Sequence, residues 1–315
     1  MSDEWYTRLV QSGRLSVTLA EKRRSKESPD VAVAQPSGAS RGLLASHLSD
    51  HVKLIRSLIK MSGLSKRGHN NARRIRINEL SIDIPQLPES FHGFKLMHLS
   101  DLHLDMAPDI ADVIAARVQP IAADATVITG DFRAATAGPV APTVAAFEKV
   151  LPHLPRPVYA VLGNHDSLQV AAGLENLGLR LLFNEHVLMQ RDNAQIAIVG
   201  VDDPHFFQTD DLDAALVGIP HGVPKILLAH SPEIYADAER SGIDFMLAGH
   251  THGGQICLPG GYPVIVNADC PRRYCRGFWR HEQLRGYTSV GTGSSVVDVR
   301  FNCPPEIALH TLVAA

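Results

Sequence analysis

The sequence predicts an α/β fold with a functional site at one edge of its sheets. From about residue 75 onward, short apolar runs typical of buried strands alternate with helical patterns. Polar blocks begin just past the ends of these runs, at Asp101, Asp131, Asn164, His230 and His250. Ligands of open α/β sheets bind at the C-terminal ends of strands, so the shared placement indicates one site rather than unrelated turns.

The apolar patterns define the elements in order along the chain. Strands are predicted at residues 94–99, 125–128, 158–162, 180–183, 187–190, 196–201, 225–229, 245–248, 264–266, 287–290 and 307–312. Helices are predicted at 110–118 and 144–151, and Pro152 ends the second of them because proline cannot continue the backbone ladder. A further helix ends before Gly178, which is typical of a C-terminal cap.

The first 75 residues differ from this pattern and predict two separate segments. Residues 1–40 contain the charge run Lys22-Arg23-Arg24 and a stretch rich in Ser, Pro, Ala and Gly, which predicts a mobile polar arm. Residues 41–75 predict a basic amphipathic helical segment, and residues 76–315 form the main domain. The apolar stripe of the helical segment consists of Leu44, Leu48, Val52, Ile55 and Ile59.

The basic segment has two interpretations. There is no acidic residue from His51 to Ile77, and a basic amphipathic helix can lie on an anionic membrane through residues 41–76. Alternatively, its apolar stripe packs on the main domain and the basic face is solvated.

Composition excludes several classes of protein. The 315-residue chain is 45% hydrophobic with a net charge of -3, which gives a sizeable core and no general attraction to nucleic acid. The four cysteines lack Cys-x-x-Cys spacing, which disfavours structural zinc and predicts reduced thiols. No apolar run reaches the roughly 18 residues of a membrane span, and no secretory signal pattern is present. We therefore expect a cytoplasmic protein, with a peripheral position on the inner membrane face as the alternative.

The block Gly249-His250-Thr251-His252-Gly253-Gly254 carries metal-binding chemistry. Neutral imidazole is a common metal ligand, and alternate residues of an extended segment face opposite sides, so the two histidines need not bind the same ion. Glycines allow the backbone to approach an ion closely. Taken alone, the block also fits a surface loop with two solvated histidines. Together with carboxylates and an amide, it suits manganese, iron or zinc.

As an ordered set, the polar blocks resemble those of the calcineurin-like metallophosphoesterases over about residues 95–255. In order they are Asp101-x-His103, Gly130-Asp131, Gly163-Asn164-His165-Asp166, His230 and Gly249-His250-x-His252. The GHTHGGQ block at 249–255 and the RFNCPPE tail at 300–306 are similar to a bacterial branch described as metal-dependent phosphodiesterases. The resemblance implies a four-layer α-β-β-α sandwich of two mixed sheets flanked by helices, with residues 76–315 as the catalytic domain.

The resemblance also implies a role for each site residue. Asp101, His103 and His252 hold one divalent ion, Asn164, His230 and His250 hold the other, and Asp131 bridges them. The ions are manganese, iron or zinc, with manganese favoured. A hydroxide between the metals is the implied nucleophile, and two ions about 3.5–4 Å apart can stabilise both the attacking and the leaving oxygen. His165 is the implied general acid.

The implied function is that of a dinuclear metal-dependent phosphoesterase. We expect a phosphodiester or pyrophosphate substrate, either a small molecule or a lipid. The alternatives are a UDP-acylglucosamine hydrolase of lipid A synthesis at the membrane surface and a non-catalytic metal-binding scaffold. A nuclease is disfavoured because the chain lacks a basic groove studded with aromatic residues, so no specific nucleic acid partner is expected.

The sequence departs from the family pattern beside the general acid. Many members carry an aspartate three residues after the bridging aspartate, where it orients the catalytic histidine. Here that position is Ala134. Asp166 directly follows His165, but adjacency in sequence does not place its carboxylate to make the same hydrogen bond.

Three further residues near the blocks have alternative interpretations. Arg133 is either a clamp on a substrate phosphate or a surface arginine. Asp105 stands where glycine is common, and either makes a water-held contact with the metals or caps the next helix. Cys257 is predicted to be a buried, inert thiol.

Overall fold

Two mixed β-sheets form the centre of the molecule, for which the computed structural model describes residues 2–27 and 48–314. In chain order the strands are β1 (Arg76–Ile84), β2 (Lys95–Leu99), β3 (Ala125–Thr129), β4 (Val158–Val161), β5 (Arg180–Leu181), β6 (Glu185–Arg191), β7 (Ala194–Gly200), β8 (Lys225–Leu228), β9 (Phe245–Ala248), β10 (Cys257–Leu258), β11 (Tyr262–Pro263), β12 (Gly277–His281), β13 (Leu284–Thr288) and β14 (Glu306–Ala314). The first sheet has the order β1-β14-β2-β3-β4-β5 and the second β12-β13-β9-β8-β7-β6. The strands β10 and β11 form a separate two-stranded ribbon.

Helices flank the two sheets, and most of them cover the outer faces. They are α1 (Ser2–Gln11), α2 (Val17–Lys26), α3 (Leu48–Met61), α4 (Ser65–Ala72), α5 (Ile110–Val118), α6 (Ala141–Val150), α7 (Leu168–Asn176), α8 (Leu212–Leu216) and α9 (Tyr235–Arg240). Ile114 of α5 and Phe147 of α6 are buried against the first sheet, and Ala238 of α9 is buried against the second. The inner faces of the sheets pack on each other through residues such as Val127 and Ile226. The predicted four-layer α-β-β-α sandwich is thereby confirmed.

The central strands are apolar on both faces because both faces are covered. All five residues of β3 are buried, and β2, β3 and β4 are parallel, as are β7, β8 and β9. Each fully buried Val, Leu or Ile side chain contributes about 1.5–3 kcal/mol to folding. The C-terminal ends of β2, β3, β4, β8 and β9 lie at a common edge, where the polar blocks follow them.

Two edge strands and one loop differ from the sequence prediction. β1 and β12 were not predicted, because their sequences mix charged and apolar residues and β1 is half exposed along most of its length. β1 is stabilised by parallel pairing with β14, a partner distant in sequence. The strand predicted at 264–266 is a loop, and the preceding residues Tyr262–Pro263 form β11 instead.

The N-terminal residues differ from the predicted mobile arm over 2–27. There α1 and α2 form a helical pair. Leu9 of α1, Ala20 of α2 and Leu15 of the turn between them are buried in the core cluster of the first sheet. Arg14 adds ion pairs with Glu175 at 2.8 Å and Glu185 at 3.0 Å. The polar composition misled the prediction because the partners of Arg14 and Arg23 lie far along the chain. The remainder of the predicted arm, 28–40, is outside the described residues.

The basic segment forms two helices, α3 and α4, from residue 48 onward, and Leu44 lies outside the described residues. α4 packs on the main domain, since a Cβ added to Gly68 would lie 2.7 Å from both Val299 and Phe301. In α3, Ile59 is half-buried while Leu58 remains exposed. The interpretation that the basic segment packs on the main domain therefore holds for α4. Membrane contact through 41–76 stays a prediction.

Two neutral histidines are buried between the sheets and predict acid sensitivity. His98 of β2 and His310 of β14 have ring centroids 5.7 Å apart, and both are fully buried. Burial lowers the pKa of His310 to about 3. Burial, with the neighbouring His310, also lowers the pKa of His98 well below its usual value. Because the unfolded residues have a pKa of about 6.5, the unfolded state binds more protons below that pH, and stability falls as pH falls.

We expect His310→Phe to flatten this acid dependence. The substitution removes one neutral imidazole. As pH falls from about 6 to 4, the free energy of unfolding should therefore decrease less steeply than in the parent, by about 1.4 kcal/mol per pH unit. Urea unfolding across that range measures the slope. His92→Gln is the control, because His92 is exposed. Equal slopes in the His310→Phe variant and the parent would contradict the assignment.

Candidate metal centre

The predicted ligands converge at the edge shared by the two sheets. Asp101 follows β2, Asp131 follows β3, Asn164 follows β4, His230 follows β8 and His250 follows β9. All the predicted ligand side chains are buried. Several of the residues have a positive φ, namely Asp101, His103, Asp131, His250 and His252. A non-glycine residue in this region is strained by about 1–3 kcal/mol, and such strain clusters at functional sites.

Close approach of the loops requires glycine at two positions. A Cβ on Gly163 would lie 2.2 Å from Asp131 Oδ1, and a Cβ on Gly249 would lie 1.8 Å from Ser100 Oγ. These separations are far inside van der Waals contact, so a side chain at either position would displace Asp131 or the segment before Asp101. The two glycines therefore allow carboxylates from one loop to sit against the backbone of the next.

The first ligand group contains Asp101, His103 and His252. The Nε2 atoms of His103 and His252 are 3.0 Å apart, and Asp101 Oδ1 is 3.3 Å from His252 Nε2. One donor atom from each of the three residues lies within 4.8 Å of the others. The arrangement directs three ligand atoms at one small volume.

The second group contains Asn164, His230 and His250. Asn164 Oδ1 lies 3.0 Å from His230 Nε2, and His250 Nδ1 lies 3.2 Å from the same nitrogen. His250 thus presents its Nδ1 atom to this group, whereas the histidines of the first group present Nε2.

Asp131 lies between the two groups. Its Oδ2 atom is 3.3 Å from His230 Nε2 and 3.7 Å from His103 Nε2. Its other oxygen, Oδ1, accepts a hydrogen bond from the backbone N–H of His165 at 3.0 Å. The carboxylate is therefore held by the loop after β4 while it faces a histidine from each group.

Hydrogen bonds behind the rings direct the lone pairs of two histidines into the site. His103 Nδ1 lies 2.8 Å from the carbonyl oxygen of Arg133, and His230 Nδ1 lies 2.7 Å from that of Thr129. A carbonyl only accepts, so we assign the proton to Nδ1 in both rings, which leaves Nε2 free to bind a cation.

The charges in the site favour a cation. Burial lowers the pKa of His103 to about 4 and the pKa of His250 and His252 well below the usual range, so these rings are neutral donors. For His230, burial is outweighed by Asp131 and other carboxylates, which raise its pKa to about 10. The field that attracts a proton to His230 also attracts a metal ion. The donor set of carboxylate, amide oxygen and imidazole fits divalent ions such as manganese, iron or zinc.

A calcineurin-like phosphoesterase model matches residues 94–254, the stretch that contains every residue of both ligand groups. The chain belongs to this family. It is 30% identical over 233 residues to phosphodiesterase YaeI of Escherichia coli, covering 70% of this chain and 82% of that protein. It is 27% identical over 256 residues to the uncharacterized metallophosphoesterase YkoQ of Bacillus subtilis, covering 78% of this chain and 93% of that protein. The chain is thus a metal-dependent phosphoester hydrolase.

His165, the predicted general acid of this phosphoesterase, lies beside Asp131. Its Nε2 atom is 3.9 Å from Asp131 Oδ2, and its Nδ1 atom donates to the backbone carbonyl of Ala134 at 2.7 Å. The missing aspartate is therefore replaced by a main-chain oxygen at the same sequence position. Asp166 does not contact the ring and instead accepts backbone N–H groups of Phe132 and Gly163.

The structure also decides among the alternatives for neighbouring residues. Arg133 is buried and donates to the carbonyl of Gly138 at 2.9 Å, so the surface interpretation is wrong. Asp105 does not cap α5, since its carboxylate accepts the N–H groups of Ala134 and Ala135. Cys257 is buried as predicted, and burial raises the pKa of its thiol to about 11.

Several residues beside the phosphoesterase centre were not predicted, among them His205, Glu233 and Arg300. His205 packs on His250 with ring centroids 4.1 Å apart, and its Nδ1 lies 2.8 Å from Glu233. Arg300 is fully buried with Nη2 3.3 Å from His252 Nδ1. His205 follows β7 in an Asp-Asp-Pro-His block, so its position past a strand end was a usable signal. Arg300 was marked only as the first residue of the RFNCPPE tail, and nothing local marks Glu233.

No helix within residues 2–27 or 48–314 is long and apolar enough to cross a membrane.

Proposed function

We propose that this phosphoesterase is a dinuclear enzyme that cleaves a phosphodiester or pyrophosphate bond, with His165 as general acid. The observation that carries the proposal is the position of Asp131 Oδ2 between His103 and His230, one histidine from each ligand group. A diester substrate is supported by the similarity to a relative named a phosphodiesterase. Manganese is the proposed metal, with iron and zinc as alternatives of the same donor chemistry.

The chain's own residues divide the work of the proposed reaction. One ion is assigned to Asp101, His103 and His252, the other to Asn164, His230 and His250, and Asp131 is assigned to both. When bound, two such ions supply positive charge to the phosphoryl oxygens and acidify water. Burial of these ligands excludes bulk solvent, which strengthens each electrostatic contact in the site.

His165 is proposed to protonate the leaving alkoxide. The bond from Nδ1–H to the carbonyl of Ala134 holds the ring so that Nε2 faces the site beside Asp131. A group held in this way delivers its proton from a fixed direction, which is what general acid catalysis requires.

Hydrolysis and metal content together test this function. Purified protein with Mn²⁺, Fe²⁺ or Zn²⁺ should cleave 4-nitrophenyl phosphodiesters, and metal analysis should give two ions per chain. Absence of cleavage with every metal would contradict the enzymatic proposal. Fewer than one ion per chain would instead favour the non-catalytic scaffold.

His165→Asn is expected to lower kcat by about 10²- to 10⁴-fold, the usual contribution of a general acid. Metal content should remain at the parent value, because His165 is not assigned to either ion. The loss should be largest for esters with poor leaving groups, such as phenyl, and smallest for 4-nitrophenyl esters. His153→Asn, at an exposed histidine, is the control. An unchanged kcat with both leaving groups would show that His165 is not the general acid.

A second candidate is a hydrolase of UDP-acylglucosamine at the membrane surface. It is favoured by exposed apolar side chains on and beside the β10–β11 ribbon, with Leu258 53%, Tyr262 61% and Ile265 63% exposed. The ribbon adjoins the His252 turn, since a Cβ on Gly254 would lie 2.5 Å from Pro263 Cβ. If the candidate is correct, acylated nucleotide sugars should be cleaved faster than deacylated ones, and Ile265→Ser should reduce that difference. Equal rates for acylated and deacylated nucleotide sugars would contradict this second candidate.

A further inference from the structure

We propose that Asp105 is a positioning residue for His165 and acts through the peptide group that joins Ala134 to Ala135. This inference rests on the proposed role of His165 as general acid. We use the name Asp105 relay for three groups in series: the Asp105 carboxylate, the 134–135 peptide and the His165 imidazole. It takes the place of the direct aspartate–histidine bond that Ala134 removes.

The geometry of the relay is continuous. His165 Nδ1–H donates to the carbonyl oxygen of Ala134 at 2.7 Å. The N–H on the other side of that same peptide bond, that of Ala135, donates to Asp105 Oδ2 at 3.2 Å. The second carboxylate oxygen, Oδ1, accepts the N–H of Ala134. Both oxygens of Asp105 are therefore bound to the backbone that carries the acceptor of the histidine.

A peptide group can transmit the influence of a carboxylate to the ring. A hydrogen bond accepted from a peptide N–H polarises its carbonyl, which then accepts more strongly, because bonds in a chain reinforce one another. A bond to an ionised acceptor is also about twice as strong as a neutral one. The negative charge of Asp105 thus strengthens the hold on His165 Nδ1–H without touching the ring. This keeps Nε2 directed at the site.

Other side chains hold the loop on both sides of the 134–135 peptide, whereas Asp105 binds the N–H groups of Ala134 and Ala135 themselves. Asp166 accepts the N–H groups of Phe132 and Arg133, which fixes the residues before Ala134. The guanidinium of Arg133 donates to the carbonyls of Ala137 and Gly138, which fixes the residues after it. Among residues 2–27 and 48–314, Asp105 is the side chain observed to bind the N–H groups of Ala134 and Ala135.

Asp105→Asn is the decisive variant, because it keeps the shape of the side chain but removes its charge and one acceptor. We expect kcat to fall about 10- to 100-fold for phenyl phosphodiesters, by analogy with the loss of hydrogen-bond partners behind metal-binding histidines, with KM unchanged. For 4-nitrophenyl esters the fall should be several-fold smaller, because a good leaving group needs little protonation. The content of Mn²⁺ should equal that of the parent.

Two further measurements separate positioning from a general structural effect. In the His165→Asn background, Asp105→Asn should cause no additional loss of kcat, since the two groups act as one unit. Asp109→Asn is the matched control, because Asp109 is an exposed carboxylate on the same loop whose side chain pairs with Arg73. Equal losses for both leaving groups, additive losses in the double variant, or a loss of Mn²⁺ would overturn the relay.

A spectroscopic test does not depend on activity. In Zn²⁺-loaded protein with ¹⁵N-labelled histidine, the Nδ1–H resonance of His165 is identified by its absence in His165→Asn. It should shift upfield or broaden in Asp105→Asn and stay in place in Asp109→Asn. If the parent cleaves no ester, the proposed function fails while this spectrum still tests the relay. A resonance unchanged in Asp105→Asn overturns the relay even if the enzyme is active.

Discussion

Asp131→Ala is expected to lose phosphodiesterase activity by at least about a thousand-fold, the upper end of the loss seen when one preorganised electrostatic group is removed from an active site. Asp131 Oδ2 faces His103 at 3.7 Å and His230 at 3.3 Å, so under the proposed assignment both ion positions would lose a ligand at once. Its Oδ1 also holds the backbone N–H of His165. Initial rates on a phenyl phosphodiester with saturating Mn²⁺ measure the effect, and metal analysis should show fewer than two ions per chain.

The control for this variant is Asp112→Ala. Asp112 is an exposed carboxylate of α5 that pairs with the exposed Lys149, so its removal changes the net charge equally without touching the site. We expect the control to retain parental rates and metal content. If Asp131→Ala also behaves like the parent in both measurements, the dinuclear proposal is wrong.

Arg23→Ala should lower the free energy of unfolding by about 3–5 kcal/mol, the usual effect of breaking a buried ion pair on one side. Arg23 and Asp202 are both fully buried, with Arg23 Nη1 2.6 Å from Asp202 Oδ1. The guanidinium also lies 3.9 Å from the ring centroid of Phe207. Removing the arginine leaves Asp202 as an uncompensated buried charge. Urea or guanidinium unfolding at pH 7 measures the change.

Arg240→Ala is the control for this stability prediction. Arg240 forms an exposed ion pair with Asp237, and such pairs contribute about 0–1 kcal/mol. The double variant Arg23→Ala, Asp202→Ala should lose less than the sum of the single variants, since Asp202 no longer remains as a buried charge without its arginine. A loss in Arg23→Ala no larger than that of Arg240→Ala would show that the N-terminal helices are not anchored in this way.

The N-terminal helices connect this stability to the active site. Arg23 donates to the carbonyl of Asp166, the residue after His165, and Glu27 accepts the N–H of Leu168 at 2.8 Å. The segment predicted from composition to be mobile thus holds the loop of the proposed general acid. Its helical pattern was weak because charged residues interrupt the apolar positions, and its anchoring contacts are with residues far along the chain.

Local chemistry made much of the fold predictable. β3, β8 and β9 are short and apolar because they are covered on both faces, and the polar residue after each marks where it ends. β1 escaped prediction because an edge strand that is half exposed has no such pattern, and its stability comes from pairing with β14. The roles assigned to the ligand residues came from the order of their blocks, and only metal and activity measurements test those roles.

The sequence alone determined the fold class, the family resemblance and the set of residues that meet at the strand ends. These depend on side-chain type, hydrophobic period and order along the chain, which are all local properties. Only the tertiary structure decided that Arg23 pairs with Asp202, 179 residues away, and that the carbonyl of Ala134 holds His165. Every residue carries a carbonyl and any arginine can meet any aspartate, so the partner in such contacts is selected by the three-dimensional path of the chain.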